Sequence, residues 1–347
     1  MSIKESSIII AKHLLARIRR CASVIVKTLI PGGGALKDKI KVIRSTYSWW
    51  QFRKITNEKR LIRIYTKASV DRPGLADRLK AFLGCYVIAE ESGYRFYIYH
   101  DAGFDLADYL EPNEVDWRIE KKNIHWGINR FKIEWFLTQF IQLNPQYTEY
   151  HPHFTWDVIG NLPEHLQHKY SFSATYNKLF KPSSHLKNLM NKVYQELGLI
   201  ENQYIAVHVR FLDYFEAVEQ NPADTPFIKL ASEEEQAAMV KSIHATLDVI
   251  HEENPGMPIL LFSDSSKFMN MPHPDYVLQL SGEVGHIHTH QDNLNVTDKA
   301  FTDLYAIAGA NKVISIVGPD LYTSGYCKTA ALMGDKPFVR VERILSL

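Results

Sequence analysis

The sequence has few cysteines, no long uncharged hydrophobic run and none of the common glycine-rich nucleotide motifs. Cys21, Cys85 and Cys327 have no ligand-like spacing, so neither a disulfide framework nor a zinc site is predicted. The lack of a P-loop and of a G-x-G-x-x-G motif argues against an NTPase or a dehydrogenase. This cysteine usage fits a reducing, cytoplasmic compartment best.

Charge is unevenly distributed along the 347 residues, although the net charge is only +1. Residues 1–60 contain 14 lysines and arginines against three acidic residues, which gives +11 in this segment and −10 in the remainder. Residues 8–30 could form a helix, but five cations make it a poor membrane span, and it is not a convincing signal peptide. Two interpretations stay open: peripheral contact with an anionic membrane, at its inner face, or a helix packed on the protein body. Nucleic acid is a weaker alternative because no binding motif accompanies the charge.

Strands and helices alternate in two parts of the chain, and this alternation predicts parallel sheets. In the first part we expect a strand at 61–66, a helix at 74–93 and a strand at 95–100. In the second part we expect strands at 204–211, 259–263, 276–280 and 312–317, with helices that begin at a Ser232/Glu235 capping box and near residues 298 and 323. Residues 104–198 show helical pieces and no clear sheet, and the glycine-rich segment 31–39 is expected to be a loop.

The length and this alternation predict an α/β protein with two Rossmann-like domains that face each other across a cleft. The predicted organisation is a basic helical segment at residues 1–60, a first domain at 61–198 and a second domain at 199–347. In such folds a ligand binds at the carboxyl ends of the strands.

Polar side chains follow the ends of three predicted strands in the second domain. His208 and Arg210 share one face of a strand, since residues i and i+2 point the same way. Ser263 and Asp264 end the next strand, and Thr323 and Ser324 open a helix after a Gly-Pro loop. A helix N-terminus and an arginine both suit an anion, and a carboxylate suits the adjacent N–H groups of guanine.

Each of these patterns also has a purely structural interpretation. Arg210 could form an ion pair with a buried carboxylate, and Asp264, Thr323 and Ser324 could be helix caps. The histidines of "HIHTH" (His286, His288 and His290) have metal-ligand spacing, but surface histidines in a loop are the more common case. The order of the polar groups at successive strand ends favours a shared site.

Four segments in this order resemble the fucosyltransferase superfamily of α1,2-, α1,6- and protein O-fucosyltransferases. They are "GLADRL" (74–79), "VHVRFLDY" (207–214), "FSD" (262–264) and "TDLYAIAGANKVISIVGPDLYTSGYCKTAALMG" (302–334). The resemblance extends over roughly residues 61–340 and implies a GT-B arrangement with GDP-fucose in the second domain. It also implies inverting transfer of fucose to a glycan hydroxyl without a metal or other cofactor.

The resemblance implies a role for each matching residue. Arg210 would bind the β-phosphate, His208 would line the nucleotide pocket, and Asp264 would contact guanine. The remaining donor-binding positions that the motifs imply are Ser263, Thr323, Ser324, Gly74 and Arg78.

Two positions depart from the family pattern. Phe211 stands where many members have a second arginine, and Ala76 stands where the usual Gly-Leu-Gly motif has its second glycine. Asp213, Glu216 and Asp77 are the candidates for a catalytic base. Two alternatives stay open: a transferase that uses another nucleotide sugar, and a non-catalytic protein that binds a nucleotide sugar or a glycan.

Overall fold

The computed structural model describes residues 33–67, 73–216, 230–282, 285 and 293–344. The helices are α1 (Gly33–Thr46), α2 (Leu75–Glu91), α3 (Glu164–Gln167), α4 (Phe172–Leu179), α5 (Ser184–Leu197), α6 (Glu233–Glu253), α7 (Ser266–Met269), α8 (Leu294–Ala308) and α9 (Gly325–Met333). The strands are β1 (Arg60–Thr66), β2 (Arg95–Asp101), β3 (Leu110–Pro112), β4 (Lys132–Trp135), β5 (Glu149–His153), β6 (Phe180–Pro182), β7 (Ile205–Val209), β8 (Ile259–Ser263), β9 (Val277–Gln279), β10 (Lys312–Val317) and β11 (Phe338–Glu342).

The described residues before β7, called the first half below, contain a four-stranded parallel sheet in the order β2-β1-β5-β4. Strand β1 is buried along almost its whole length, as expected for a parallel strand that is covered on both faces. Helix α2 connects β1 to β2 and is itself mostly buried, because its apolar residues run around much of its circumference. A separate antiparallel pair, β3 and β6, lies outside this sheet.

The described residues from β7 onward, called the second half below, contain a five-stranded parallel sheet in the order β11-β10-β7-β8-β9. The chain runs outward from β7 through β8 to β9 and then returns to the other side of β7 as β10. The strand order therefore reverses between β7 and β10. In open α/β sheets, this reversal creates a crevice at the carboxyl ends of the strands, and ligands bind there.

A shared apolar core joins the two halves. Helix α2 of the first half contacts α9 of the second, and α5 contacts α8. The rings of Tyr109 and Phe301 stack with centroids 4.2 Å apart, and the Tyr109 hydroxyl donates to Asp298. The first turns of α2 and α9 are thereby brought close to the same edge of the second sheet.

The structure confirms the α/β class with parallel sheets and the main strands and helices of both halves. The capping box at Ser232 and Glu235 opens α6 as predicted, and β8 and β10 begin and end where the sequence places them. The predicted boundaries between the three segments stay a prediction. The expected helix at residues 8–30 lies outside the described residues.

Two expectations about secondary structure are wrong. The glycine-rich segment is helical from Gly33, because good helix formers follow it and Val42 packs against the first sheet. Residues 104–198 do contribute to a sheet, through β4 and β5. Strand β5 has the sequence EYHPH, whose buried polar side chains gave no hydrophobic pattern. Strand β11 was also not predicted.

The hydrophobic segments of the chain are core elements where the structure describes them. In those residues, no helix combines the length and the low polarity that crossing a bilayer requires.

Candidate functional site

A cavity of about 550 Å³ opens at the carboxyl ends of β7 and β8, beside the first turns of α2 and α9. Its position is the crevice that the strand order of the second sheet creates. The lining residues come from both halves of the chain. They are Gly74, Leu75, Ala76, Asp77, Lys80, Trp156, His208, Arg210, Phe262, Ser263, Asp264, Gly285, Lys299, Ala300, Asp303, Tyr322, Ser324, Gly325 and Tyr326.

His208 lies on β7 between β8 and β10 and is only 6% exposed. Burial, and then the charge of Arg210, lower the pKa of His208 to about 3. The imidazole is therefore neutral at physiological pH and lines the cavity without adding charge. Its ring lies beside that of Tyr326, with centroids 6.2 Å apart.

Arg210 and Asp264 face each other at the ends of adjacent strands. The Nε of Arg210 is 3.4 Å from Oδ2 of Asp264, and the guanidinium lies 5.0 Å from the centre of the Tyr322 ring. Both side chains are less than one-fifth exposed, and both line the cavity. The two interpretations of Arg210 are thus compatible: it forms an ion pair, and it borders the space where an anion would bind.

Asp264 also fixes the backbone that follows β7. Its two carboxylate oxygens accept the backbone N–H groups of Phe211, at 2.8 Å, and Leu212, at 3.0 Å. Leu212 has a φ of 52°, a conformation that costs free energy for a branched side chain and needs such support. Burial raises the pKa of Asp264, and the Arg210 charge opposes that shift. The expected contact of Asp264 with guanine stays a prediction. In such a contact, guanine would share a carboxylate that already accepts two backbone hydrogen bonds.

The third group of polar residues lies in the loop between the end of β10 and the first turn of α9. Ser324 is the N-cap of α9, and its Oγ accepts the backbone N–H of Tyr326 at 3.1 Å. Ser324 is buried and lines the cavity, as does Gly325. Thr323 is exposed and is not among the lining residues, and its predicted role in donor binding stays a prediction.

The first turn of α2 forms the opposite side of the cavity. Gly74 is its N-cap residue, and Asp77 and Lys80 line the space, with their charged atoms 2.8 Å apart. A Cβ on Gly325 of α9 would lie 3.5 Å from the Nζ of Lys80. Two helix N-termini and the cations of Lys80 and Arg210 therefore border one cavity, and each of these groups favours a bound anion.

Arg78 is not among the lining residues, and its predicted role in donor binding stays a prediction. Its side chain is only 1% exposed and points into the first half, where it donates to the Pro73 carbonyl and contacts the Nε2 of His100 at 2.8 Å. Asp77 and Arg78 are adjacent on a helix, so the face that turns Asp77 toward the cavity turns Arg78 away from it.

Two of the three candidate bases lie outside the cavity lining. Glu216 accepts hydrogen bonds from the Ser265 hydroxyl at 3.1 Å and the Lys267 backbone N–H at 2.9 Å, and so supports α7. Asp213 lies in the loop after β7 and is not a lining residue either. Of the three, only Asp77 reaches the cavity.

Sequence reasoning missed an ion pair and several aromatic residues. Lys299 and Asp303 lie one turn apart on α8, with Nζ 2.5 Å from Oδ1, and both line the cavity. Burial raises the pKa of Asp303, and the Lys299 charge opposes the shift. Their i,i+4 spacing was visible in the sequence, but such spacing is common on solvated helix faces. Trp156 follows an unpredicted strand and could not have been placed.

The described residues contain no group of three or more histidine, cysteine, aspartate or glutamate side chains placed to hold a metal ion. The HIHTH segment lies outside the described residues. Whether a metal takes part in the chemistry stays a prediction.

No family model and no curated protein matches the chain. Solved structures do match it. A mutant of Arabidopsis thaliana FUT1 in complex with GDP has a TM-score of 0.51 and 12% identity, over 93% of this chain and 78% of that one. NodZ α-1,6-fucosyltransferase soaked with GDP-fucose has a TM-score of 0.48 and 14% identity, over 80% and 92%. POFUT1 in complex with GDP-fucose has a TM-score of 0.42 and 12% identity, over 83% and 98%. The likeness to FUT1 extends over nearly the whole chain, and the protein therefore has a fucosyltransferase-like fold.

Proposed function

We propose that the protein is a glycosyltransferase that transfers fucose from GDP-fucose to a glycan hydroxyl, with its two halves in a GT-B arrangement. The observation that carries this proposal is the cavity at the strand-order reversal, which is bordered by Arg210, Lys80 and two helix N-termini. A diphosphate has the charge and the oxygen atoms that such a set of donors recognises. The FUT1 structure with the matching fold contains GDP.

In the proposed reaction the acceptor hydroxyl attacks the anomeric carbon of fucose as the bond to GDP breaks, with inversion. Negative charge grows on the departing diphosphate, and donors fixed before the reaction stabilise that charge without reorganising. Arg210 is held by Asp264 and by the Tyr322 ring, so its position is set in advance. Asp77 lies on the opposite side of the cavity, and we assign it as the candidate base that accepts the hydroxyl proton.

The acceptor glycan is proposed to approach past Trp156. This side chain is 56% exposed and lines the cavity from the first half. Phe136 and Phe154 lie at the ends of β4 and β5 and stack with ring centroids 5.0 Å apart. The apolar face of a sugar ring packs on such aromatic faces, whereas a nucleotide needs the charged side of the cavity.

The alternative of a non-catalytic binding protein rests on the missing second arginine. Phe211 occupies that position and is fully buried, with its ring 4.8 Å from that of Phe268. The Phe211 side chain packs in the apolar core of the second half and does not line the cavity. Arg210 and Lys80 would then together supply the positive charge that faces the diphosphate.

A thermal-shift comparison of GDP, UDP, ADP and CMP, followed by a transfer assay with GDP-fucose, tests the proposal. At 100 times its dissociation constant, GDP should stabilise the protein by about 2.7 kcal/mol, and the other nucleotides should do so much less. Equal shifts from all four would contradict the choice of guanine. Stabilisation by GDP-fucose without transfer to any glycan of a mixed acceptor pool would favour the binding protein. Loss of transfer on EDTA treatment, restored by manganese or magnesium, would contradict a metal-free reaction.

A further inference from the structure

Three large apolar side chains project into solvent from one short loop between α1 and β1. Trp49 is 64% exposed, Trp50 is 61% exposed and Phe52 is 87% exposed. The rings of Trp50 and Phe52 contact each other edge to face, with centroids 6.2 Å apart. Contiguous exposure of this kind marks an interaction surface, because isolated exposed apolar residues are common and clusters are not. We call residues 49–54 the aromatic loop.

The aromatic loop is held firmly, even though its side chains are exposed. Gln51 lies at its centre, and its Oε1 accepts the backbone N–H groups of Trp126, at 2.9 Å, and Gly127, at 3.2 Å. The Gln51 backbone N–H donates to Oδ1 of Asn129 at 2.9 Å, and Nε of Arg130 donates to the Gln51 carbonyl at 2.7 Å.

The close approach of Gly127 to the aromatic loop has a steric basis. A Cβ on Gly127 would lie 2.5 Å from the backbone nitrogen of Gln51, so only glycine allows the two segments to meet there. The loop is thus built to present its aromatic side chains outward rather than to fold them against the protein.

The surroundings of the aromatic loop are cationic. From residue 39 to residue 57 the sequence has five lysines and arginines and no acidic residue. Arg53 and Lys54 belong to the loop, and Arg44 lies in the last turn of the preceding helix; all three are exposed. An anionic surface would therefore gain attraction at the same place where the aromatic side chains leave water.

We propose that the aromatic loop inserts into the headgroup region of an anionic membrane and docks the protein there. Tryptophan is enriched at that interface because its ring is apolar and its N–H is polar, and phenylalanine adds apolar area. The neighbouring cations suit phosphatidylglycerol or phosphatidylserine headgroups. None of the loop residues lines the donor cavity, so this docking is independent of the proposed transfer reaction.

The test is co-sedimentation of the full chain with vesicles of phosphatidylcholine alone and of phosphatidylcholine with phosphatidylglycerol at about 3:1. We expect binding to the anionic vesicles only. Replacing Trp49, Trp50 and Phe52 together with alanine should lower the partition coefficient by at least about tenfold. Arg53→Gln with Lys54→Gln should lower it by about fivefold or more for each cation that lies at the surface.

A matched control removes three exposed apolar side chains elsewhere, by Ile200→Ala, Leu230→Ala and Leu294→Ala, and should leave vesicle binding unchanged. Each variant should retain the wild-type melting temperature, because the replaced side chains pack against little. Absence of vesicle binding by the wild type, or full binding by the aromatic variant, would overturn the proposal. So would a dimer in size-exclusion chromatography that the aromatic variant dissociates, since the patch would then bind a second copy.

Discussion

The two sheets use buried polar groups in opposite ways. In the first sheet, charged and polar side chains lie in the interior and pair with one another around Glu149. In the second sheet, the buried interior is mainly apolar, and the charged groups stand at the carboxyl ends of the strands. The charged pair at the centre of the first arrangement is almost fully buried, whereas Arg210 and Asp264 of the second border the cavity between the two halves.

Glu149 on β5 is the centre of the first arrangement. It is fully buried, with Oε2 2.5 Å from the Nη2 of Arg60 and 2.7 Å from the Nδ1 of His125. Its Oε1 lies 2.7 Å from the Nε2 of His151. Tyr47, just after α1, continues the network through its hydroxyl, which lies 3.1 Å from the Nδ1 of His151. The network thereby ties α1 and two strands together.

The second arrangement shows the reverse. Ile205, Val207 and Val209 fill the interior of β7, and charge begins only with Arg210, one residue beyond the strand. Its partner Asp264 likewise follows the last residue of β8. A charged side chain in the interior needs an oppositely charged partner within the protein, whereas one at the edge of a sheet can pair with a charged group of a ligand. The comparison supports the proposal that the donor binds at the carboxyl edge of the second sheet.

Glu149→Ala should have the largest effect on stability. Its removal leaves Arg60 buried without its carboxylate, and breaking such a pair costs about 3–5 kcal/mol in the free energy of unfolding. Chemical denaturation measures the change. Glu58→Ala is the matched control, because Glu58 is partly exposed, pairs with Arg95 at 3.5 Å and should cost no more than about 1 kcal/mol. A loss for Glu149→Ala as small as that of the control would show that the network is not structural.

Arg210→Ala should affect turnover more than stability. It removes a charge that stabilises the transition state, so we expect a drop in turnover on the order of 100- to 1000-fold, larger than the loss of GDP affinity. Asp264 keeps its two backbone hydrogen bonds, so the free energy of unfolding should fall by less than in Glu149→Ala. Arg210→Lys should restore little activity, since an ammonium cannot replace the guanidinium fork.

Transfer assays, GDP titrations and melting curves on the Arg210 variants distinguish the roles, with Arg118→Ala as an exposed arginine control. A stable Arg210→Ala protein with wild-type turnover would remove the central residue of the proposed mechanism. A melting temperature that falls as far as in Glu149→Ala, with normal turnover per folded molecule, would mean that Arg210 is only an ion-pair partner.

The same contrast explains which strands and site residues could be predicted from the sequence and which could not. The strands of the second sheet are apolar runs bounded by turn residues, so β7, β8 and β10 could be placed, together with the polar residues at their ends. Strand β5 was missed because its polar residues are satisfied by partners distant in the chain: Arg60 is 89 residues from Glu149. No local pattern reveals such partners. For the same reason the inward orientation of Arg78 and the outward position of Trp156 needed the structure.

Acid should destabilise the first sheet before the second. Burial lowers the pKa of His151 and His153 on β5, and it lowers the pKa of His100 on β2 to about 3; in the second sheet, His208 shows the same kind of shift. A histidine whose pKa is lower in the folded state gives stability that is complete above its unfolded value, near 6.5, and is lost as the pH falls below it. For His100 the loss at pH 5 amounts to about 2 kcal/mol.

Hydrogen exchange at pH 7 and pH 5, corrected for the intrinsic rate, measures the difference between the sheets. Protection of residues 60–66 and 149–153 should decrease more than protection of 259–263. His244 and His273 of the second half also have lowered pKa values, but they are only partly buried. Their contribution to the pH dependence of stability in that half should therefore be smaller. His153→Gln should reduce the pH dependence in the first sheet, and His208→Gln should reduce it in the second. Equal loss of protection in both sheets at pH 5 would show that the interior polar network does not set the acid sensitivity of the first half.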